Sequence, residues 1–246
     1  MNFSRKNVFG KVAAYTYVIE FQKRGLPHAH FLIILKQGSK MYSPKTYNRI
    51  VCVELPDIDE REYLHTLVVK HMMHGPCGAM NPACACMRPH VGCKDRYPKQ
   101  FCESTIHTTN SYPLYRRRND KKKAKVRGHY LDNRWVVPYC PYLLAKFNCH
   151  INVEICSTIQ AVKYIYKYIY KGHDRVLYQL SDIETNNNVD EIKNYVAARW
   201  VSPPEAMWRI FGFDLNQIHP SVMTLQVHLE NKQPVHFQKK ARFIVL

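Results

Sequence analysis

The chain has 246 residues, 46% hydrophobic and 22% charged, the balance of a globular protein with a buried core rather than of a disordered tail. Thirty-six Lys and Arg against nineteen Asp and Glu leave a formal net charge of +17, which makes a polyanion the natural partner. The uninterrupted apolar run Phe31 to Leu35, which no other run exceeds, is far short of the ~20 residues of a membrane span, and no apolar signal segment opens the sequence, so neither membrane insertion nor secretion is expected.

Val12 to Phe21 is rich in β-branched and aromatic residues, Gly25-Leu26-Pro27 supplies a turn, and His28 to Leu35 is again strand-like, so a β-hairpin is predicted here. His28 and His30 are two apart and share one sheet face. The turn brings Glu20 and Gln22 of the preceding strand alongside them. Two imidazoles, one oxygen ligand and open positions suit Mg²⁺ or Mn²⁺ acting as a Lewis acid on a phosphate. Two polar residues that simply face solvent would give the same pattern.

A helix is expected over Tyr63 to Met73. From about 71 to 102, Pro, Gly, Cys and His crowd together, a composition that needs an internal staple. His74, Cys77, Cys86 and Cys93 can close a tetrahedral Zn²⁺ site, with Cys84, Cys102 and His90 as further candidates. Reduced, packed thiols are the alternative. Nine Cys, unevenly placed, suit a reducing compartment, cytosolic or nuclear.

The basic run at about 115–128 holds Arg116, Arg117, Arg118, Lys121, Lys122, Lys123, Lys125 and Arg127. It is predicted as a solvated loop, too charged to bury, that contacts a DNA backbone by charge neutralisation. Trp135, Tyr139 and Tyr142 are read as core rather than as base-stacking residues. Strands are expected at Trp135 to Tyr139 and at Cys149 to Ile155.

Ser157-Thr158-Ile159-Gln160 has capping-box spacing and opens a helix closed by Gly172. At about 100° per residue, Tyr166 and Tyr170 fall on its apolar side, and Tyr164 and Tyr168 stack on the polar side beside Lys167 and Lys171. Phenols among ammonium groups, near a metal-polarised phosphate, are candidate nucleophiles. A solvated helix face would show the same spacing, and a strand would put all four tyrosines on one face. Further helices are expected from Asp190 to Trp200 and from Ser202 through Phe211, with β-like stretches at Val222 to Leu229 and Val235 to Leu246. No linker divides the chain. The fold expected is a single α+β domain over 1–246, with a central antiparallel sheet, flanking helices and the His pair on a middle strand.

A His-hydrophobic-His strand followed by a Tyr-x-x-Lys-Tyr-x-x-Lys helix in one basic chain resembles the HUH endonucleases. Glu20 to His30, Lys163 to Arg175, and the blocks Met73 to Gly78, Trp135 to Tyr139, Asn148 to Glu154 and Glu205 to Phe211 look like the replication-initiator domain of Helitron transposons. The resemblance implies an HUH nuclease-like fold and a metal-dependent nick in single-stranded DNA at transposon ends, through a 5′-phosphotyrosine, followed by strand transfer. It implies His28 and His30 as metal ligands with Glu20 third and Gln22 in reserve, Tyr164 and Tyr168 as nucleophiles, and Lys171 and Lys167 as phosphate-neutralising groups. It also implies a nuclear setting and a helicase domain of a longer protein as partner. No Gly-x-x-x-x-Gly-Lys-Ser/Thr loop occurs, so ATP hydrolysis is not expected of these residues. A second reading is a catalytically inactive, zinc-stabilised module that binds single-stranded nucleic acid and descends from such a nuclease.

Overall fold

The structure, a computed structural model, describes residues 8–21, 25–106, 112–156 and 201–221. Gln22, the tyrosine-lysine segment with Tyr164, Lys167, Tyr168 and Lys171, the helix expected at 190–200 and the strands expected beyond 222 lie outside the described residues.

The fold is mixed α and β, built on small antiparallel sheets. β1 (Val12–Phe21) and β2 (Pro27–Leu35) form the predicted hairpin, with Glu20 opposite His28 and Val18 opposite His30. α1 (Pro44–Ile50) is held by a reciprocal cap between Ser43 and Thr46, with Pro at its first turn. α2 (Glu62–His71) occupies the predicted helical stretch to within two residues at its end. β3 (Met87–Arg88) and β4 (Gly92–Cys93) make a miniature hairpin inside the Cys-rich segment. β5 (Lys123–Val126) and β6 (His129–Asp132) are joined by Arg127-Gly128. Both turn residues have positive φ, 48° and 84°, as a tight two-residue hairpin turn requires. α3 (Pro141–Phe147), α4 (Pro203–Ile210) and β7 (Asn216–His219) complete the order.

β7 pairs with β1 on the side away from β2, giving the strand order β2-β1-β7. Among the described residues β1 is therefore the middle strand, and the His pair rides on the flanking β2 rather than on a middle strand. α4 braces this sheet: Trp208 meets Phe21 edge-on at 6.0 Å, and Ser202 Oγ donates to the Gly25 carbonyl at 3.1 Å. Gly25 sits at φ +79°, and a Cβ there would come within 2.1 Å of Ser202 Cβ. Only glycine satisfies both the left-handed backbone and the close approach.

The main core lies elsewhere. Leu67 and Val68 of α2 and Met72 at its C-cap pack with Leu144 of α3, Ala124 of β5, and Leu55, Val136 and Tyr139, each large aliphatic group contributing ~1.5–3 kcal/mol by burial. The 135–139 segment is not a strand. A 3-10 turn, Asn133–Trp135, leads into single bridges from Val136 to Met73 and from Tyr139 to Cys52. The 149–155 stretch forms no strand either, and Val153 N–H donates to the Pro138 carbonyl. Trp135 and Tyr139 are core, but Tyr142 is exposed on α3.

The basic run departs most from expectation, because it is not one solvated loop. Arg117 is 5% exposed and donates to the carbonyls of Val53, Asn133 and Val136. Arg118 makes a two-pronged pair with the buried Glu54, at 2.9 and 2.7 Å, and Arg116 approaches the same carboxylate at 3.5 Å. Asn133, fully buried, joins them by accepting from Leu55 N–H and donating to the Arg118 carbonyl. A buried guanidinium is tolerated when its donors are satisfied, and three carbonyls satisfy this one. Arg117 is therefore no DNA contact.

Candidate functional site

Two ligand sets fall within the described residues. The first is on the hairpin. Alternation along β2 puts His28 and His30 on one face with ring centroids 4.6 Å apart, and the register lets Glu20 reach diagonally, its Oε2 3.5 Å from His30 Nε2. Burial first, then the charges of His30 and His150, hold His28 below the usual imidazole value against the opposing pull of Glu20. A neutral ring keeps the lone pair that a cation needs. His150 had no assigned role in the sequence reading. Its Nδ1 lies 2.7 Å from the His71 carbonyl, so the tautomer that donates there leaves Nε2 as the free lone pair. Nothing local in the sequence signals this, because His150 reaches the hairpin only through the fold.

The second set is in the Cys-rich segment. Turns and the β3–β4 hairpin bring His74, Cys77, Cys86 and Cys93 together, their ligand atoms all within 4.8 Å of one another. Among the described residues it is the one group of three or more potential ligands that converges in this way. These are the four residues named from the sequence. Cys93 Sγ and His74 Nε2 are 3.7 Å apart. A tetrahedral centre with bonds of about 2.1 and 2.3 Å has edges of roughly 3.6–3.8 Å, so that edge already fits. His74 Nδ1 lies 2.9 Å from the Gly75 carbonyl. Donation there turns Nε2 inward, the orientation typical of a metal-binding imidazole. Tyr97 stacks on the His74 ring at 4.2 Å, with Trp135 beyond it.

Burial pushes the Cys77 and Cys86 thiols up. At Cys93 burial pushes upward too, but the N–H groups of Tyr97 and Asp95 outweigh it and the thiol lies below its ordinary value. The donor set of three sulfurs and one imidazole fits a closed site for a metal ion such as zinc, whose charge would favour the thiolates. Of the further candidates, Cys84 stands beside the group with its Sγ 3.6 Å from that of Cys86. Cys102 donates to the Ser104 carbonyl, and His90 sits exposed at the hairpin tip.

Residues 1–33 match the family described as Helitron helicase-like domain at N-terminus. The match ends inside β2, beyond His28 and His30. Comparison with curated proteins gives no match. The similarity covers the hairpin with its ligand set and points to a transposon-associated role. No helix among the described residues is long and apolar enough to cross a membrane.

Proposed function

We propose that the chain is one HUH nuclease-like domain that nicks and rejoins single-stranded DNA at the ends of a rolling-circle transposon, acting in the nucleus. The observation that supports this best is the joint placement of Glu20, His28 and His30 on one hairpin face, within the stretch that is similar to the Helitron family. Two imidazoles and a carboxylate are a fitting donor set for Mg²⁺ or Mn²⁺, which would supply Lewis-acid polarisation of the scissile phosphate. Glu20, His28, His30 and, in reserve, Gln22 would hold it.

The Tyr164 or Tyr168 oxygen attacks phosphorus. A bond forms between phenolic oxygen and phosphorus, the bond from phosphorus to the 3′-oxygen breaks, and that oxygen leaves as a 3′-hydroxyl with the proton the phenol gives up to solvent. Lys167 and Lys171 neutralise the phosphate. Two tyrosines allow a second transfer without release of the first strand. His74, Cys77, Cys86 and Cys93 would hold a structural Zn²⁺.

Incubation with 5′- and 3′-labelled single-stranded DNA and each cation should give a covalent protein–DNA adduct carrying the 5′ phosphate. The adduct should be lost in Tyr164→Phe/Tyr168→Phe and kept in Tyr166→Phe/Tyr170→Phe. The converse pattern would overturn the assignment of helix faces. DNA binding with no adduct under either cation would favour the inactive zinc-stabilised module, for which the cysteine centre is the supporting observation.

A further inference from the structure

The lysines after Arg118 behave differently from the arginines before them. β5 alternates, so Ala124 turns into the core while Lys123 and Lys125 stand exposed on either side. Opposite them, α2 presents His65 and Lys70. With Val69 and Ala124 between, these residues line a shallow open cleft of about 480 Å³. Lys70, Lys123 and Lys125 have no carboxylate within 4 Å among the described residues, whereas Arg116 and Arg118 share Glu54 and Lys122 takes Asp57 at 2.8 Å. Lys123 faces Asp132 across the β5–β6 ladder and helps to keep it ionised without closing an ion pair; three cations around one cleft with a single such neighbour are unfavourable to one another and favourable to a polyanion. β5 is also half of a two-stranded sheet. Its edge away from β6 carries no ladder among the described residues, and edge N–H groups are ready donors to phosphate oxygens.

We infer that the α2–β5 cleft seats the sugar–phosphate backbone of a single DNA strand, with Lys70, Lys123 and Lys125 as its phosphate contacts. The cleft has the volume of a small-ligand pocket, a scale that fits a short stretch of a single backbone. A basic groove that tracks the backbone is the general solution for binding single strands without reading their sequence. Its position relative to the hairpin gives it a use. The stretch of α2 from His65 to His71 is about 9 Å long at 1.5 Å per residue. At the His71 end the carbonyl holds His150, whose charge is felt at His28. A strand lying along α2 runs toward the end of the helix that holds His150.

The inference rests on the proposed function for the identity of the strand, so its test measures binding without cleavage. Fluorescence anisotropy with a labelled single-stranded oligonucleotide, in EDTA-free buffer without added Mg²⁺ or Mn²⁺, is followed over a salt series. Lys70→Ala/Lys123→Ala/Lys125→Ala should lower the slope of log K against log salt by about 2, from about 0.7 per phosphate contact on a single strand, and should weaken binding by roughly 50-fold at 0.15 M salt. Restoring the three charges as Arg should return affinity to within about threefold, since the contact is to phosphate. Removing three exposed lysines outside the cleft, Lys36, Lys40 and Lys45, should cost far less because their fields are screened within about 8 Å. Equal losses from the two triples would mean diffuse charge and would overturn the cleft, as would tighter binding of a blunt duplex than of the single strand. If the cleft triple binds normally while His28→Ala/His30→Ala still abolishes the adduct, the cleft falls and the nuclease reading stands.

Discussion

The hairpin and the Cys-rich region use the same kinds of side chain in opposite ways. Around His74 the ligands converge, two of the three thiols are buried, and the imidazole is oriented by a backbone carbonyl and clamped by Tyr97. On β2 the imidazoles are placed by sheet alternation and a 3.5 Å contact to Glu20, and the face they share is partly open. A closed tetrahedral set leaves no coordination position for a substrate, whereas an incomplete set of hard and borderline ligands does. On the proposed function, the contrast separates a centre that would hold the chain together from one that would meet a substrate. The polar groups of the basic run and its partners divide in the same way: Arg117, Asn133 and Glu54 are turned inward, and the lysines of β5 are turned outward.

The largest effect should come from opening the closed centre. Cys77→Ser should lower bound zinc from about one atom per chain toward none and destabilise by about 4 kcal/mol or more, because metal affinity here is folding free energy. Elemental analysis and thermal melts read both quantities. A fully folded, metal-free wild-type protein would erase the distinction between the two centres. The hairpin should respond in the reverse manner. His28→Ala/His30→Ala should reduce cleavage by at least ~10³-fold, equivalent to about 4 kcal/mol of transition-state stabilisation. Melting temperature and DNA affinity should stay close to wild type, since both rings lie outside the main core. A large loss of stability with cleavage retained would assign the pair a structural role.

Arg117→Met comes next. It keeps apolar volume but leaves the Val53, Asn133 and Val136 carbonyls short of a donor, so urea unfolding should show a loss of about 3 kcal/mol. Lys121→Ala, three residues beyond Arg118 and exposed, should stay within ~0.5 kcal/mol. Similar costs at the two positions would contradict the inward and outward division of the basic run.

That division also marks what was legible before the fold was known. The hairpin could be read because its signals are local: period-two alternation, a Gly-Leu-Pro turn, and two histidines at the same parity. The cysteine set could be read because residue type and segment composition restrict the chemistry, although its geometry depends on turns that the spacing does not reveal. Arg117 could not be read, because its partners stand 64, 16 and 19 residues away and nothing beside it announces them. The 135–139 stretch looked like a strand because Val136, Val137 and Tyr139 favour β structure. Tertiary packing gave it isolated bridges to two different partners instead of a ladder. The β5–β6 hairpin was hidden by its own lysines, which masked the alternation around Ala124. The tyrosine-lysine segment, expected as a helix and proposed to carry the nucleophiles, lies outside the described residues.

A smaller effect than that at Arg117 is a pH dependence, and the surroundings of Glu54 set its direction. Glu54 is 6% exposed. Burial alone would raise its carboxyl pKa, but hydrogen bonds from the Arg118 side chain and backbone, with the charges of Arg116 and Arg118, outweigh burial and place it below its ordinary value of 4.5. A carboxyl whose folded value is depressed contributes stability in full above its unfolded value, and loses that contribution as pH falls through the folded one. Glu54→Gln keeps the shape and one carbonyl acceptor but cannot be an anion. At pH 7 it should therefore be less stable than wild type by about 2 kcal/mol, the scale of hydrogen bonds to a charged group. Below pH 4.5 the difference should shrink as the wild-type carboxylate is protonated. Chemical unfolding of both proteins across pH 3 to 7 measures the gap directly. A gap that stays constant across that range would mean that Glu54 acts through packing alone, and the inward-facing charges would then have no electrostatic share in holding the closed region together.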